Sequence, residues 1–273
     1  MGMTVTGIYR YPVKSCRGEW LPAACVEPWG LAGDRRWMIV DDDGLVLTAR
    51  ERPPLLLVTP VVEPDAIRLT APGLPELTVS IPSVRRDRDL VPVVVWDSKL
   101  VATPTGEEVG NWLSAVAGEP VRLVYLDDPT RRRTNPAYSR DTDRVSFADG
   151  YPLLLTSTGS LDELNRWLTG DGERAVPMTR FRPSAVVAGA PPWAEDRWRR
   201  VRVGSVVMRV VKPCGRCVVT TIDQITGERG SQPLKMLGRH RNIGRQLVFG
   251  QNLIPDSGGV IRVGDQVEIL SSR

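Results

Sequence analysis

The chain predicts a mainly β fold with a few helices, and three observations carry that expectation. Proline and glycine are abundant, 23 and 25 among 273 residues, and they cut the chain into short segments. In the first third those segments are β-branched or aliphatic and recur at roughly ten-residue spacing, the pattern of a barrel or sandwich. Stretches with the 3.6-residue period of an amphipathic helix are few.

Taken in order, Met3 to Ile8 reads as a first strand. Arg36 to Asp41 is a strand, Asp43-Gly44 signals a tight turn, and Leu45 to Ala49 returns. Short strands follow at Leu55–Val61, Ala66–Thr70, Leu77–Ile81 and Val91–Trp96. The first helix is Glu107 to Ala117, with Thr105 as N-cap, Glu108 completing a capping box, and Val109, Trp112, Leu113 and Val116 on one face. Asp127 to Arg144, with Arg131, Arg132 and Arg133, is polar and aperiodic. It reads as a surface loop of solvated arginines, with anion binding as the alternative. Tyr151 to Thr156 reads as a buried strand that turns through Ser157, Thr158 and Gly159 into a second helix. Ser160 and Glu163 are its expected capping box, and Leu161, Leu164 and Leu168 its apolar face. Free N–H groups at such a turn suit a phosphate, although most such clusters only cap. Strands return at Ser184–Ala188, Arg202–Val203, Val206–Val211 and Val218–Ile222. A closing hairpin is expected at Val260–Val263 and Gln266–Leu270.

The net charge of +4 suits an anionic ligand and is too thin a basic excess for nucleic acid. No apolar run reaches membrane-span length, and no leader pattern opens the chain. Met1-Gly2 with Thr6 matches a bare myristoylation pattern, but the same residues read better as a strand. Four cysteines are too few for a disulfide scaffold, so a reducing, cytoplasmic setting is expected. The single histidine, His240, excludes two-histidine zinc sites and lies outside any nucleophile-elbow motif. No dinucleotide fingerprint or P-loop is present.

The densest chemistry is Lys212-Pro213-Cys214-Gly215-Arg216-Cys217. A redox dithiol would place this run at a helix N-terminus, yet Val218 to Thr221 are strand formers. A zinc knuckle needs two more ligands, and Cys16 and Cys25 are wrongly spaced. Two readings remain open on spacing alone: a pair of packed small side chains, or one thiolate ligand to a soft transition metal with Arg216 stabilising its charge.

The run from Cys214 to Asp223 resembles the cysteine motif of MOSC-domain proteins, in the branch of the mitochondrial amidoxime reducing component and its bacterial relatives. Tyr11-Pro12-Val13-Lys14-Ser15, Gly33-Asp34-Arg35-Arg36-Trp37, Tyr151-Pro152-Leu153, Phe181-Arg182-Pro183, Phe249-Gly250-Gln251-Asn252 and Val263-Gly264-Asp265 resemble its other motifs, in order over the whole chain. The resemblance implies an N-terminal β-barrel-like domain over residues 1–120 and a cofactor-binding MOSC domain over 121–273. It implies a molybdenum–molybdopterin cofactor, with Cys217 as metal ligand and catalytic residue and Cys214 a packed bystander. Carried over motif by motif, cofactor contacts fall on Lys14, Ser15, Arg35, Ser157, Thr158, Arg182, Ser184 and Arg216. Ser184 stands where relatives usually carry Asn. The implied activity is reduction of N-hydroxylated compounds such as amidoximes and hydroxylamines. Some relatives carry a C-terminal ferredoxin-like domain and this chain does not, so a separate ferredoxin- or flavoprotein-type protein is the expected electron source. The alternative is a cofactor carrier or sulfur-relay module that uses a cysteine persulfide.

Overall fold

The computed structural model describes residues 2–83 and 89–272, so Met1 of the Met-Gly start lies outside it. Its largest sheet has nine strands. Eight run in the order Val267–Ser272, Trp198–Val203, Val206–Gly215, Gln246–Pro255, Leu153–Ser157, Ala185–Ala188, Thr4–Arg10, Glu19–Leu21, and Asn242–Ile243 adds to Gln246–Pro255. Among the described strands only Leu153–Ser157 and Ala185–Ala188 pair parallel, and helix α2 (Thr158–Gly170; α1 is Glu107–Ala117) lies in the connection between them. A four-stranded sheet orders Trp37–Val40, Arg122–Tyr125, Ser98–Pro104 and Val91–Val95. Thr59–Val62, Ala66–Thr70 and Leu77–Ser80 form a meander, and Gly259–Arg262, Ala23–Glu27 and Gly30–Leu31 a third small sheet.

The two sequence halves interleave. Thr4–Arg10 joins the large sheet beside Ala185–Ala188, with Ile8 opposite Ala185. Late in the chain, Gly259–Arg262 pairs Ala23–Glu27. Val5, Ile8, Val201, Met208 and Leu253 share one core. Val13, Trp37, Leu55, Leu69 and Leu113 share another, roofed by α1 through Val109, Trp112 and Ala117.

Several local expectations are corrected. The run Leu55–Val61 breaks into a 3₁₀ turn at Pro53–Leu57 and the strand Thr59–Val62, because Pro53 and Pro54 lack ladder donors. Leu45 and Val46 make only isolated bridges, not a return strand. Val218–Thr221 is a 3₁₀ turn, not a strand. The Thr220 and Thr221 hydroxyls bond back to the Cys217 and Val218 carbonyls at 2.9 and 2.8 Å, giving the backbone a local alternative to a ladder. Gly106 caps α1, since the Thr105 hydroxyl is spent on the Leu123 carbonyl. Ser157, not Ser160, caps α2 by accepting the Ser160 N–H at 3.1 Å, and Glu163 pairs with Arg166 instead. The expected closing hairpin is no ladder, because its two strands belong to different sheets. Among the described residues no helix is long and apolar enough to cross a membrane.

Candidate functional site

The strand Val206–Gly215 carries the cysteine run to the mouth of a cleft that encloses about 830 Å³ including its open side. Seven of the nine residues singled out from the sequence line it: Lys14, Ser15, Arg35, Arg182, Ser184, Arg216 and Cys217. They come from four segments remote from one another in the chain, Lys14-Ser15, Arg35, Arg182 to Ser184, and Arg216-Cys217, which the fold brings together. Gly250 helps: its φ is +80° and a Cβ there would sit 2.7 Å from the Leu155 carbonyl, so only glycine lets strand Gln246–Pro255 pass so close. Six non-glycine residues in the description have φ in the left-handed region, and four of them, Ser15, Arg35, Trp96 and Arg182, line the cleft. Such conformations cost energy and collect where a side chain must be aimed.

One wall is built around Tyr11. Its buried ring carries the guanidiniums of Arg35 and Arg182 with their carbons 4.2 and 4.3 Å from the centroid, and its hydroxyl donates to the Pro183 carbonyl at 3.2 Å. Arg35 is fixed by buried Asp34 at 2.6 and 2.9 Å, and Asp34 also accepts the Tyr11 N–H at 2.7 Å. Arg182 donates to the Cys16 carbonyl at 2.6 Å. Burial pulls the Arg182 guanidinium down to about 10, with the Arg35 charge adding to the effect. Two guanidiniums on one ring are held against their own repulsion, a geometry that favours an arriving anion. Ser184, also buried, spends its hydroxyl as acceptor for the Leu154 N–H at 3.2 Å.

The opposite wall centres on Asp149, whose carboxylate is open to the cleft with 69% of the side chain exposed. Lys14 reaches it at 2.5 Å and also donates to the Phe147 carbonyl at 2.9 Å. Burial pulls the Lys14 ammonium down to about 8, against the opposing pull of Asp149. The walls of the cleft partly desolvate the Asp149 carboxyl, which would raise it, but Lys14 and Arg50 hold it well below the usual carboxylate range. Arg50 stacks on Trp96 at 4.3 Å and lies 3.9 Å from Asp149. Burial would lower its guanidinium, but interaction with the Cys217 side chain and with Asp149 holds it above the ordinary range.

The cysteine run itself corrects two expectations. Arg216 donates to Cys214 Sγ at 2.9 Å and to the Phe181 carbonyl at 2.7 Å, so the cation beside Cys217 is Arg50. Cys214 lines the cleft and accepts that bond, so it is not a buried bystander. All four cysteines are free, and among the described residues no cluster of three or more His, Cys, Asp or Glu could hold a metal ion.

Ser157 and Thr158 do not join the cleft. Ser157 is buried, and its hydroxyl donates to Glu195 at 3.1 Å, beside Ser160, which donates at 2.6 Å. The arginine run is no solvated loop either. Arg132 is 4% exposed and donates to the Ser146, Ala148 and Asp149 carbonyls, clamping the loop that presents Asp149. Arg50, Trp96 and Asp149 were missed by sequence reasoning. Asp149 lies just ahead of the Tyr151-Pro152-Leu153 motif and was within reach of it; Arg50 and Trp96 carry no local signal.

The donors present suit an anionic group with a soft metal. Five cations, Lys14, Arg35, Arg50, Arg182 and Arg216, face one cleft carboxylate, Asp149. The buried Nε of Arg216 has no partner among the described residues, and Cys217 offers a thiol to the same cleft.

Fold and cleft together define a mainly β protein with an anion-attracting cleft that holds two free cysteines, Cys214 and Cys217. The chain belongs to the MOSC family: residues 2–120 match the MOSC N-terminal beta barrel domain and residues 142–268 the MOSC domain. It is 32% identical to the mitochondrial amidoxime-reducing component 1 of Mus musculus over 98% of this chain and 82% of that protein. The Homo sapiens counterpart is 31% identical over 98% and 83%. A molybdenum cofactor sulfurase of Danio rerio is 30% identical over 93% of this chain but only 32% of its own length.

Proposed function

We propose that this protein is a molybdenum-cofactor-dependent reductase that converts N-hydroxylated substrates, such as amidoximes and hydroxylamines, to amidines and amines. The observation that carries the reading is the accessible Cys217 thiol in a cleft where five cations face one carboxylate. The similarity to amidoxime-reducing components over nearly the whole chain supports it.

Cys217 would ligate the molybdenum. Lys14, Ser15, Arg35, Arg182 and Arg216 would hold the pterin and its phosphate, Arg through forked donors and Lys as a point charge. Ser184 contributes by fixing the Leu154 backbone that lines the cleft. Bound there, the cofactor supplies a two-electron redox centre. Arg50 steadies the sulfur ligand and, through Trp96, shapes the mouth. Asp149, kept ionised by Lys14 and Arg50, is an acceptor placed to orient the N–H or O–H of an incoming substrate. The balance is R–C(NH₂)=N–OH + 2e⁻ + 2H⁺ → R–C(NH₂)=NH + H₂O, with electrons from a separate one-electron carrier.

The test is molybdenum content and benzamidoxime reduction measured together on the wild type and on Cys217→Ser. Stoichiometric metal and turnover, both abolished in the variant, are expected. A metal-free wild type with a persulfide on Cys217 and no turnover would replace this reading with a sulfur-relay module.

A further inference from the structure

A continuous row of aromatic rings runs from the protein surface to the wall of the cleft. His240, exposed at the end of helix α3 (Leu234–His240), stacks on Trp167 of α2 with centroids 4.2 Å apart. Trp167 stacks on Trp193 at 5.4 Å, Trp193 meets Phe249 edge-on at 5.9 Å, and Phe249 stacks on Phe181 at 3.7 Å. Phe181 lines the cleft and accepts the Arg216 guanidinium on its carbonyl. The strand bearing Phe249 also bonds the neighbour of Cys217 directly, from the Arg216 N–H to the Leu247 carbonyl at 2.7 Å.

Core packing accounts for Phe181 and Phe249, which are fully buried. Trp167 and Trp193 pack against the same core while staying half-exposed, and His240, stacked on Trp167, is exposed, so the row leaves the core and reaches the surface. Trp193 is held deliberately: its φ is 63°, and Arg241, itself paired to Asp196 at 2.5 Å, lies over its ring at 4.2 Å. Arg245, the other left-handed residue outside the cleft, lies in the turn beside α3.

The surface end of the row is basic. Lys235, Arg239, His240 and Arg245 are exposed on α3 and its following turn; Arg239 pairs with Asp171 and His240 faces Glu163, which leaves Lys235 and Arg245 without a carboxylate partner among the described residues. Ile243, 47% exposed, adds an apolar contact in the same turn. Basic charge around an apolar point complements the rim of an acidic protein and speeds its encounter. Small, transient interfaces of this kind are typical of electron-transfer pairs.

We propose that this face docks an acidic one-electron carrier protein and that the ring row is the path from it to the cofactor at Cys217. The inference rests on the reductase reading. Each carrier is oxidised by one electron, so two docking events supply the pair that, with two protons, breaks one N–O bond and releases one water. The rings serve as densely packed tunnelling medium and need not change redox state themselves.

The probe is an acidic plant-type [2Fe–2S] ferredoxin, with dithionite as a small reductant that reaches the open cleft directly. The double variant Lys235→Glu/Arg245→Glu is expected to weaken ferredoxin binding to cofactor-free protein by about tenfold at low salt, a loss that fades as salt screens the charges. Trp167→Leu is expected to leave that binding unchanged and to slow ferredoxin oxidation severalfold at saturating ferredoxin, with Trp167→Phe restoring most of the rate. Dithionite-driven turnover stays at the wild-type level in all of them. Equal binding by the charge variant, or a wild-type ferredoxin rate in Trp167→Leu, overturns the proposal. If dithionite drives no turnover in the wild type, the reductase reading falls, and the docking site still stands or falls on the binding measurement.

Discussion

The parallel pair Leu153–Ser157 and Ala185–Ala188 carries a polar cluster at each end, and the two clusters behave in opposite ways. At one end Ser157 and Ser160 donate to Glu195, and Ser157 caps α2. Among the described residues Glu195 has no cation partner, yet the Ser157 and Ser160 hydroxyls are both spent inside the protein. At the other end Ser184 follows Arg182, which shares the Tyr11 ring with Arg35, and across the same cleft Arg216 keeps a buried Nε unpaired among the described residues. The first cluster looks like an anion site in sequence and is closed in structure. The second has its hydrogen bonds to backbone but not its charge balanced. Polar residues gathered at a turn do not make a binding site; charge left uncompensated in a cleft does.

The largest expected effect separates the two cysteines of the open site. Cys217→Ser should reduce molybdenum to background while Cys214→Ser retains it, read by metal analysis of protein made with ample molybdate. Equal loss in both would mean that the pair acts together.

Arg132 and Arg182 sharpen the contrast between a guanidinium bound by three backbone carbonyls and one that keeps a single such bond and faces the cleft. Arg132→Gln should cost about 3 kcal/mol of stability, because three buried carbonyls lose a charged donor. Arg182→Gln should leave the cofactor-free protein at least as stable, since it relieves repulsion with Arg35, while lowering cofactor retention by about tenfold. Thermal unfolding beside cofactor retention reads both.

Lys14 sets a pH dependence of intermediate size. Its folded value of about 8 lies below the ordinary 10.5, so the cation is present below about 8 and lost above it. Inorganic phosphate binding by the cofactor-free protein should therefore weaken severalfold as pH rises through about 8, and Lys14→Met should flatten that fall. Over the window from about 8 to 10.5 the folded chain holds fewer protons than the unfolded one, so this group makes stability rise with pH.

The closed cluster should give the smallest effect. Burial holds the Glu195 carboxyl above its ordinary range, with the serine hydroxyls opposing. The folded state thus keeps a proton that the unfolded state has lost, and stability falls as pH rises out of the normal carboxylate range. Glu195→Gln should remove that slope at a cost of about 1 kcal/mol and leave molybdenum content unchanged. A loss of metal in this variant would break the distinction between the two ends.

Much of the site was legible because motif and wall coincide. Lys14-Ser15, Arg35, Arg182-Pro183-Ser184 and Arg216-Cys217 are each a short signature, and each lies on the cleft. Ser157-Thr158 has the same local look, and only the distant Glu195 makes it a cap. Arg50 was not legible, because its partner Cys217 lies on another sheet's strand end and nothing near residue 50 announces it. The run Val218–Thr221 misled for a related reason: strand propensity lost to threonine hydroxyls that bond their own backbone.

By itself the sequence determined a β-rich chain with few helices and a cysteine pair set beside an arginine, because periodicity, Gly/Pro punctuation and side-chain type are local properties. Tertiary structure alone decided which polar groups are answered and which are left over. Pairing Thr4–Arg10 with Ala185–Ala188 and Gln246–Pro255 with Val206–Gly215 brings remote segments of the chain to one cleft. Whether a charge there meets a partner or faces an open cavity depends on contacts between residues far apart in the chain, and no local pattern encodes that balance.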